Sequence, residues 1–343
     1  MLVSVTGGTG FVGAHSVAAV LAAGHRVRLL VRDESIVERA LAPLRVDTGA
    51  VEVVTGNVLD RFSVERLVRG TDAVLHAAGV YSFDSRAHRE MARTNVTGTE
   101  QVLAAARRAG VARIVHVSSF GALLPSPGRE LGPDSPVGHP RETYLAAKAA
   151  AESVARAHQA AGAPVTITYP PALLGPHDPK MGDQVTRLRN TLRGLMPIWP
   201  SGGLPVGDVR DTAVLHAVLL AGAGPAGDRH FGPGHYLTTR QYVATLREVT
   251  GRALPTVYLP ARAMLPLGVV TGVVQRVWPW HIPAEYGAIY TCACAARIGE
   301  SAGRGAARAV VQTFADTVAW LRRGGHLSAR AAGAAADLAV HTR

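Results

Sequence analysis

Leu2-Val3-Ser4-Val5-Thr6-Gly7-Gly8-Thr9-Gly10-Phe11-Val12-Gly13 opens the chain and decides its fold. A short apolar run of strand type empties directly into three spaced glycines. A helical pattern then begins through Phe11, Val12, Ala14, Val17, Ala18 and Leu21. Gly7 permits a tight turn off the strand, Gly10 lets backbone approach a pyrophosphate, and Gly13 lets the helix lie close on the sheet. The helix start offers free N–H groups and a positive dipole end to phosphate. A strand before and a helix after is the context that separates this motif from an ordinary glycine-rich turn. Gly7, Thr9, Gly10, Phe11, Val12 and Gly13 are therefore the expected contacts of a dinucleotide.

Outward from this stretch, apolar runs alternate with helical patterns as far as about residue 175. Strands are predicted over 2–6, 26–32, 51–55, 72–76, 113–118 and 165–169, with helices over 11–23, 60–69, 86–109 and 142–161. Such alternation specifies an α/β fold with a Rossmann-type, doubly wound parallel sheet. The second strand ends in Arg32, followed by Asp33. An acidic residue there takes the adenosine ribose hydroxyls and selects NAD, whereas an arginine accommodates the extra phosphate of NADP. Arg32 comes first, so NADP is expected; the plainer reading is a solvated arginine with Asp33 as the ribose ligand. Asn57 and Val58 follow the third strand and are expected to flank adenine. His76-Ala77-Ala78-Gly79 closes the fourth, its small residues leaving room for backbone to lie against the cofactor.

The fifth strand delivers Ser118 and Ser119, and the helix after the next loop carries Tyr144 and Lys148. Four residues apart, these two share one helix face. An ammonium beside a phenol favours phenolate and lowers a pKa of about 10. A tyrosine so placed can donate a proton to a carbonyl under reduction or accept one from an alcohol under oxidation. Tyr-x-x-x-Lys is common by chance, but less so behind the glycine motif and a strand-end serine.

Taken together, Thr6 to Gly13, Val31-Arg32, His76 to Gly79, Asn95-Val96-Thr97-Gly98-Thr99, Ser118-Ser119, Tyr144-x3-Lys148 and Pro170 to Pro176 make the chain resemble an extended short-chain dehydrogenase/reductase of the epimerase/dehydratase family. The pattern is nearest the dihydroflavonol reductase and 3β-hydroxysteroid dehydrogenase-like branch and covers about residues 1–320. The resemblance implies that Ser119 holds the substrate oxygen and Tyr144 is the proton donor. It further implies that Lys148 binds the nicotinamide ribose and tunes Tyr144, and that Pro170 to Leu173 line the nicotinamide end. Ser118 competes for the serine role. Two departures point away from sugar nucleotides. Dehydratases of this kind carry Thr-Asp-Glu where this chain has Ser119-Phe120-Gly121, and epimerases an asparagine where it has Tyr169-Pro170-Pro171-Ala172. The family also usually has aspartate at Asn57.

Composition excludes several other classes. Of 343 residues 48% are hydrophobic and 18% charged, which describes an ordered protein with a substantial core. No apolar run reaches 18 residues, so no membrane span is expected, and the first residues lack the features of a signal peptide. Cys292 and Cys294 are poor disulfide partners, which suits a reducing cytoplasm; no metal-ligand spacing occurs. The net charge is +11, but the basic residues are scattered and no nucleic-acid motif appears. Among 36 basic residues the only lysines are Lys148 and Lys180. A lysine in so arginine-rich a chain suggests a compact, titratable charge.

The expected organisation is an NADP-binding domain over 1–175, completed by a helix over 208–223 that Asp208 caps. A substrate-binding region follows over 176–207, read as irregular, and over 230–322. It includes a strand at 235–237, helices over 239–250 and 306–322, and an apolar helix over 263–277 that is a lid, a membrane-surface element or plain packing. From Gly324 the Ala/Arg/Gly-rich tail is expected to be disordered. Tyr81, Phe83, Leu123, Leu124, Met181 and Trp199 are the candidate pocket residues, and their apolar character suggests a hydrophobic or aromatic small-molecule substrate. A monomer or homodimer reducing a ketone or oxidising a secondary alcohol with NADP is the leading expectation. The alternatives are an epimerase with tightly held NAD and a non-catalytic NADP-sensing regulator.

Overall fold

The computed structural model describes residues 1–80, 88–126, 130–222, 228–266, 286–299 and 305–340. Its first half runs β1 (Leu2–Thr6), α1 (Phe11–Ala22), β2 (Arg26–Val31), α2 (Ile36–Leu41), β3 (Val51–Thr55), α3 (Arg61–Val68) and β4 (Ala73–His76). It continues through α4 (His88–Ala92), α5 (Gly98–Arg108), β5 (Arg113–Val117), β6 (Glu130–Leu131), α6 (Thr143–Ala160) and β7 (Val165–Tyr169). Beyond these come β8 (Ala172–Leu174), α7 (Asp183–Leu192), β9 (Ile198–Ser201), β10 (Gly203–Asp208), α8 (Val209–Leu220), β11 (Arg229–Phe231) and β12 (His235–Thr238). The remainder is α9 (Thr239–Thr250), β13 (Val257–Pro260), α10 (Tyr286–Cys294), β14 (Arg297–Ile298), α11 (Val310–Arg323) and α12 (Ala329–Ala332).

Seven strands form one parallel sheet in the order β11-β7-β5-β4-β1-β2-β3. β1, β4 and β7 are buried at every position because both faces of the sheet are covered, as a doubly wound sheet requires. On one face α1 and α8 bury Ala14, Val17, Val20, Leu215, Leu219 and Leu220. On the other, α3, α5 and α6 bury Val64, Leu67, Val102, Leu103 and Ala155. The strand order reverses between β1 and β4, so the carboxyl ends of these strands flank the crevice where ligands of such sheets bind.

A smaller mixed sheet, β12-β10-β8, carries a second core. Trp199, Tyr242 and Phe314 form its centre, with Leu188, Leu246 and Val318 around them. Buried Arg210 ties the two cores together. It lies on Asp208 through Nη2 to Oδ2 (2.6 Å) and reaches Asp316 of α11 with Nη1 (2.8 Å).

Four expectations change. The single helix over 86–109 is interrupted by a π-helical turn at Arg93–Thr97, where buried Asn95 turns its side chain onto the backbone of Val80. Residues 176–207 are regular and carry α7, β9 and β10. The spacing of Val185, Leu188 and Leu192 gives α7 its buried stripe, a signal diluted by the surrounding prolines and glycines. The tail after Gly324 is ordered over its described part: α12 and the 3-10 turn Gly333–Asp337 pack Ala331, Ala332 and Ala335 against Leu321 and Leu327. Alanine methyls bury little area each, but all three are buried in the second core. The expected helix over 306–322 begins at Val310. Of the helix expected over 263–277, residues 267–277 lie outside the described residues. Among the described residues no helix is long and apolar enough to cross a membrane, and no His, Cys, Asp and Glu cluster could hold a metal ion.

Candidate active site

The glycine turn leaves β1 as the sequence predicts. Gly7 has φ +75°, and a Cβ there would meet the backbone of Ala77 and Ala78 at 2.6 Å. Gly10 caps α1 without a side chain over it, and no acidic residue stands in the first turn, so the N–H groups of Phe11 and Val12 are left for an anion. A Cβ on Gly10 would meet only the Gly7 oxygen, at 3.4 Å, which keeps that side of the turn open to a ligand. Ala77 and Ala78 are held to β1 by Thr6, through its carbonyl (3.1 Å) and its hydroxyl (3.3 Å). This cradle fits a pyrophosphate.

At the far end, Arg32 is exposed and pairs with Glu90 of α4 at 3.6 Å. Asp33 turns back on its own loop, accepting from the N–H and hydroxyl of Ser35, which hold its carboxyl below the usual range. Asn57 spends its side-chain oxygen on the N–H of Leu59 (3.0 Å). Val58 packs into the core over Gly98, so its side chain is occupied structurally.

The structure separates the two serines. Ser119 Oγ caps the turn after β5, accepting from the N–H of Gly121 (3.1 Å), and is hydrogen-bonded to Tyr144. Ser118 is buried with its hydroxyl unpartnered among the described residues. Tyr144 owes its place to Glu142, which sequence reasoning missed. Glu142 caps α6 and accepts from the N–H groups of Tyr144 (3.0 Å) and Leu145 (2.7 Å). One turn on, Lys148 Nζ would lie 3.6 Å from a Cβ on Gly79, so its ammonium reaches the edge of the cradle.

The electrostatics differ from the expectation in one respect. Burial raises the Tyr144 phenol, against the pull of Ser119, while Glu142 and Asp183 raise it further; Lys148 is not among the groups that move it. Burial also lowers Lys148 to about 8, partly offset by Glu152. His76 and His116 stack 5.3 Å apart on β4 and β5, neutral because burial pushes both down, with Lys148 adding to the effect.

Pro170 and Leu173 are buried beside the serine turn, Pro170 accepting from the N–H of Phe120 (3.4 Å). The pocket residues fare less well. Leu123 and Leu124 are fully buried in the main core, and Trp199, 2% exposed, packs on Tyr242 in the second. All three side chains are taken up by core packing, and apolar character, which core and pocket share, does not tell the two apart. Met181 is half-buried in the loop before α7, and Tyr81 and Phe83 lie outside the described residues. Instead Tyr290 of α10 packs with Val80 against the cluster of Tyr144 and Met91, and Asp183 of α7 acts on Tyr144. No local signal in the sequence marks either, because tertiary structure alone brings α7 and α10 to this edge.

Comparison with known proteins completes the picture. Residues 3–229 match the model of the NAD dependent epimerase/dehydratase family. The chain belongs to that family. Within it, this epimerase/dehydratase-family protein is 31% identical to sterol demethylase protein B of Methylococcus capsulatus, over 95% of this chain and 99% of that one. It is also 31% identical to the 4-hydroxy-2-methyl-3-oxo-4-farnesyl-3,4-dihydroquinoline-1-oxide ketoreductase of Stigmatella aurantiaca, over 81% of each. Among solved structures it is similar to DesIV, the dTDP-glucose 4,6-dehydratase of Streptomyces venezuelae with NAD and TYD bound. There the TM-score is 0.73 and the identity 26%, over 96% of this chain and 100% of that one. This family member is thus an NAD(P)-dependent enzyme of the extended short-chain dehydrogenase/reductase kind.

Proposed function

We propose that this enzyme is an NADP-dependent ketone reductase or secondary-alcohol dehydrogenase acting on a hydrophobic or aromatic substrate. The hydrogen bond between Ser119 and Tyr144, with Lys148 one turn further along α6, carries the reading. The cofactor, when bound, supplies or takes up a hydride. Gly7, Thr9, Gly10, Phe11, Val12 and Gly13 would hold its pyrophosphate, Arg32 its adenosine phosphate, with Asn57, Val58, Ala77, Ala78 and Gly79 alongside. Lys148 would hold the nicotinamide ribose, with Pro170 and Leu173 at the nicotinamide end.

In the reducing direction Tyr144 Oη gives its proton to the substrate oxygen while Ser119 Oγ holds that oxygen in place. Burial keeps the phenol protonated at neutral pH, the state a proton donor needs. With Phe120 and Gly121 next to Ser119, the turn carries no carboxylate to eliminate water, which argues against a dehydratase. The names of the two relatives, a sterol demethylase protein and a ketoreductase of a farnesylated quinoline, support an apolar substrate and ketone chemistry.

The test is NADPH consumption by the purified chain with aryl, terpenoid and steroidal ketones. Tyr144→Phe should lower turnover about a thousandfold and leave NADPH binding intact. An active Phe variant overturns the mechanism. A chain that purifies with tightly held NAD and needs none added is an epimerase.

A further inference from the structure

Four of the ten exposed large hydrophobic side chains among the described residues fall in one small region. They are Leu195 (54% exposed), Ile198 (49%), Val257 (58%) and Leu259 (39%). Scattered singly, such residues would mean nothing. Here they share a surface. β9 and β13 form a two-stranded parallel sheet in which Ile198 pairs with Val257, Trp199 with Tyr258 and Pro200 with Leu259. Alternation then sends Trp199 inward onto Tyr242 and puts Tyr258 under the guanidinium of Arg240. Ile198, Val257 and Leu259 are left on the outer face, with exposed Pro197, Pro255 and Pro260 at its margins.

The two segments that build this face carry one sign of charge. Residues 193–201 and 252–263 contain Arg193, Arg252 and Arg262 and no acidic residue, and Arg193 and Arg262 are exposed. A hollow of about 210 Å³ lined by Met196, Arg252, Leu254 and Thr256 opens beside the sheet.

We propose that this face docks on the surface of a bilayer containing anionic lipid. Apolar side chains enter the headgroup boundary while the surrounding arginines meet lipid phosphate, the combination by which peripheral proteins bind membranes. The net charge of +11 favours the same encounter. A second copy of the chain fits less well. A two-fold contact through this face would set arginine against arginine, and four side chains cover far less than the roughly 800 Å² per partner of a stable dimer. Docking here is independent of the reaction assigned to Tyr144.

Flotation of the full chain with phosphatidylcholine vesicles, with and without phosphatidylglycerol, tests it. The wild type should float with the mixed vesicles only, and added salt should release it. Ile198→Ser/Val257→Ser/Leu259→Ser should weaken flotation at least about tenfold. Arg193→Gln/Arg262→Gln should lose the preference for anionic lipid. Val214→Ser/Val218→Ser, at exposed positions on α8, should float as the wild type does and controls for general loss of apolar surface. Wild type that stays unbound, or a serine triple that floats like wild type, overturns the proposal. So does a wild-type dimer that the triple converts to monomer, which would make the face an interface between copies.

Discussion

Gly13 lies so close over Gly7 that a Cβ on Gly13 would overlap the Gly7 carbonyl oxygen. That carbonyl also accepts from the N–H of Gly10 (2.9 Å), so one backbone oxygen closes the turn and limits what residue 13 can carry. Gly13→Ala should therefore push α1 off the turn. The expected outcome is a lower melting temperature together with NADPH affinity weakened at least about tenfold, read by thermal melting and cofactor titration. A variant with the wild-type melt and affinity would show that the turn is looser than its geometry implies.

Lys148 makes stability depend on alkaline pH. Its folded pKa, lowered by burial to about 8, lies below its ordinary 10.5. Between those values the unfolded chain binds more protons, so stability from this group rises as pH climbs from about 8 towards 10.5. Lys148→Met should remove that rise and stabilise the unliganded protein near neutrality by about 2 kcal/mol, less than the full shift because the site opens to water. Denaturant midpoints across this pH range check it.

Arg210 is the centre of a buried charge cluster. Burial would lift the Asp208 carboxyl, but the Arg210 guanidinium bonded to it, with Thr313, holds it below the ordinary range. A depressed carboxylate contributes stability above its unfolded pKa and loses it as pH falls through the folded value. Arg210→Met leaves two carboxylates uncompensated between the cores and should cost roughly 3 kcal/mol or more at neutral pH. Much of that loss should be recovered in Arg210→Met/Asp208→Asn, measured by urea unfolding.

Glu90 sets the freedom of Arg32. Their 3.6 Å pair is exposed on both sides, so it is worth no more than about 1 kcal/mol. Glu90→Gln should release the guanidinium and improve binding of NADPH relative to NADH by up to about fivefold. Arg32→Ser should move the ratio the other way. Paired titrations of the two cofactors decide, and an unchanged ratio in both variants would remove Arg32 from cofactor selection.

The tail should matter to stability. Truncation after Leu327 would uncover the second core where Ala331, Ala332 and Ala335 now cover it, and should lower the melting temperature by several degrees.

The sequence by itself determined much of what depends on short-range order. β1 runs into the glycine turn within a few residues, Tyr144 and Lys148 sit one helical turn apart, and the alternation of strand and helix specifies a parallel sheet, because each rests on neighbours along the chain. Only tertiary structure decided what depends on faces meeting across the chain. It bonded Ser119, and not Ser118, to Tyr144, since that contact turns on which hydroxyl reaches α6. It buried Leu123 and Trp199, brought Asp183 and Tyr290 to Tyr144, and raised the phenol's pKa by desolvation where spacing had suggested the opposite. Apolar character says that a side chain leaves water; whether it enters a core or walls a pocket is settled by what the rest of the chain packs against it.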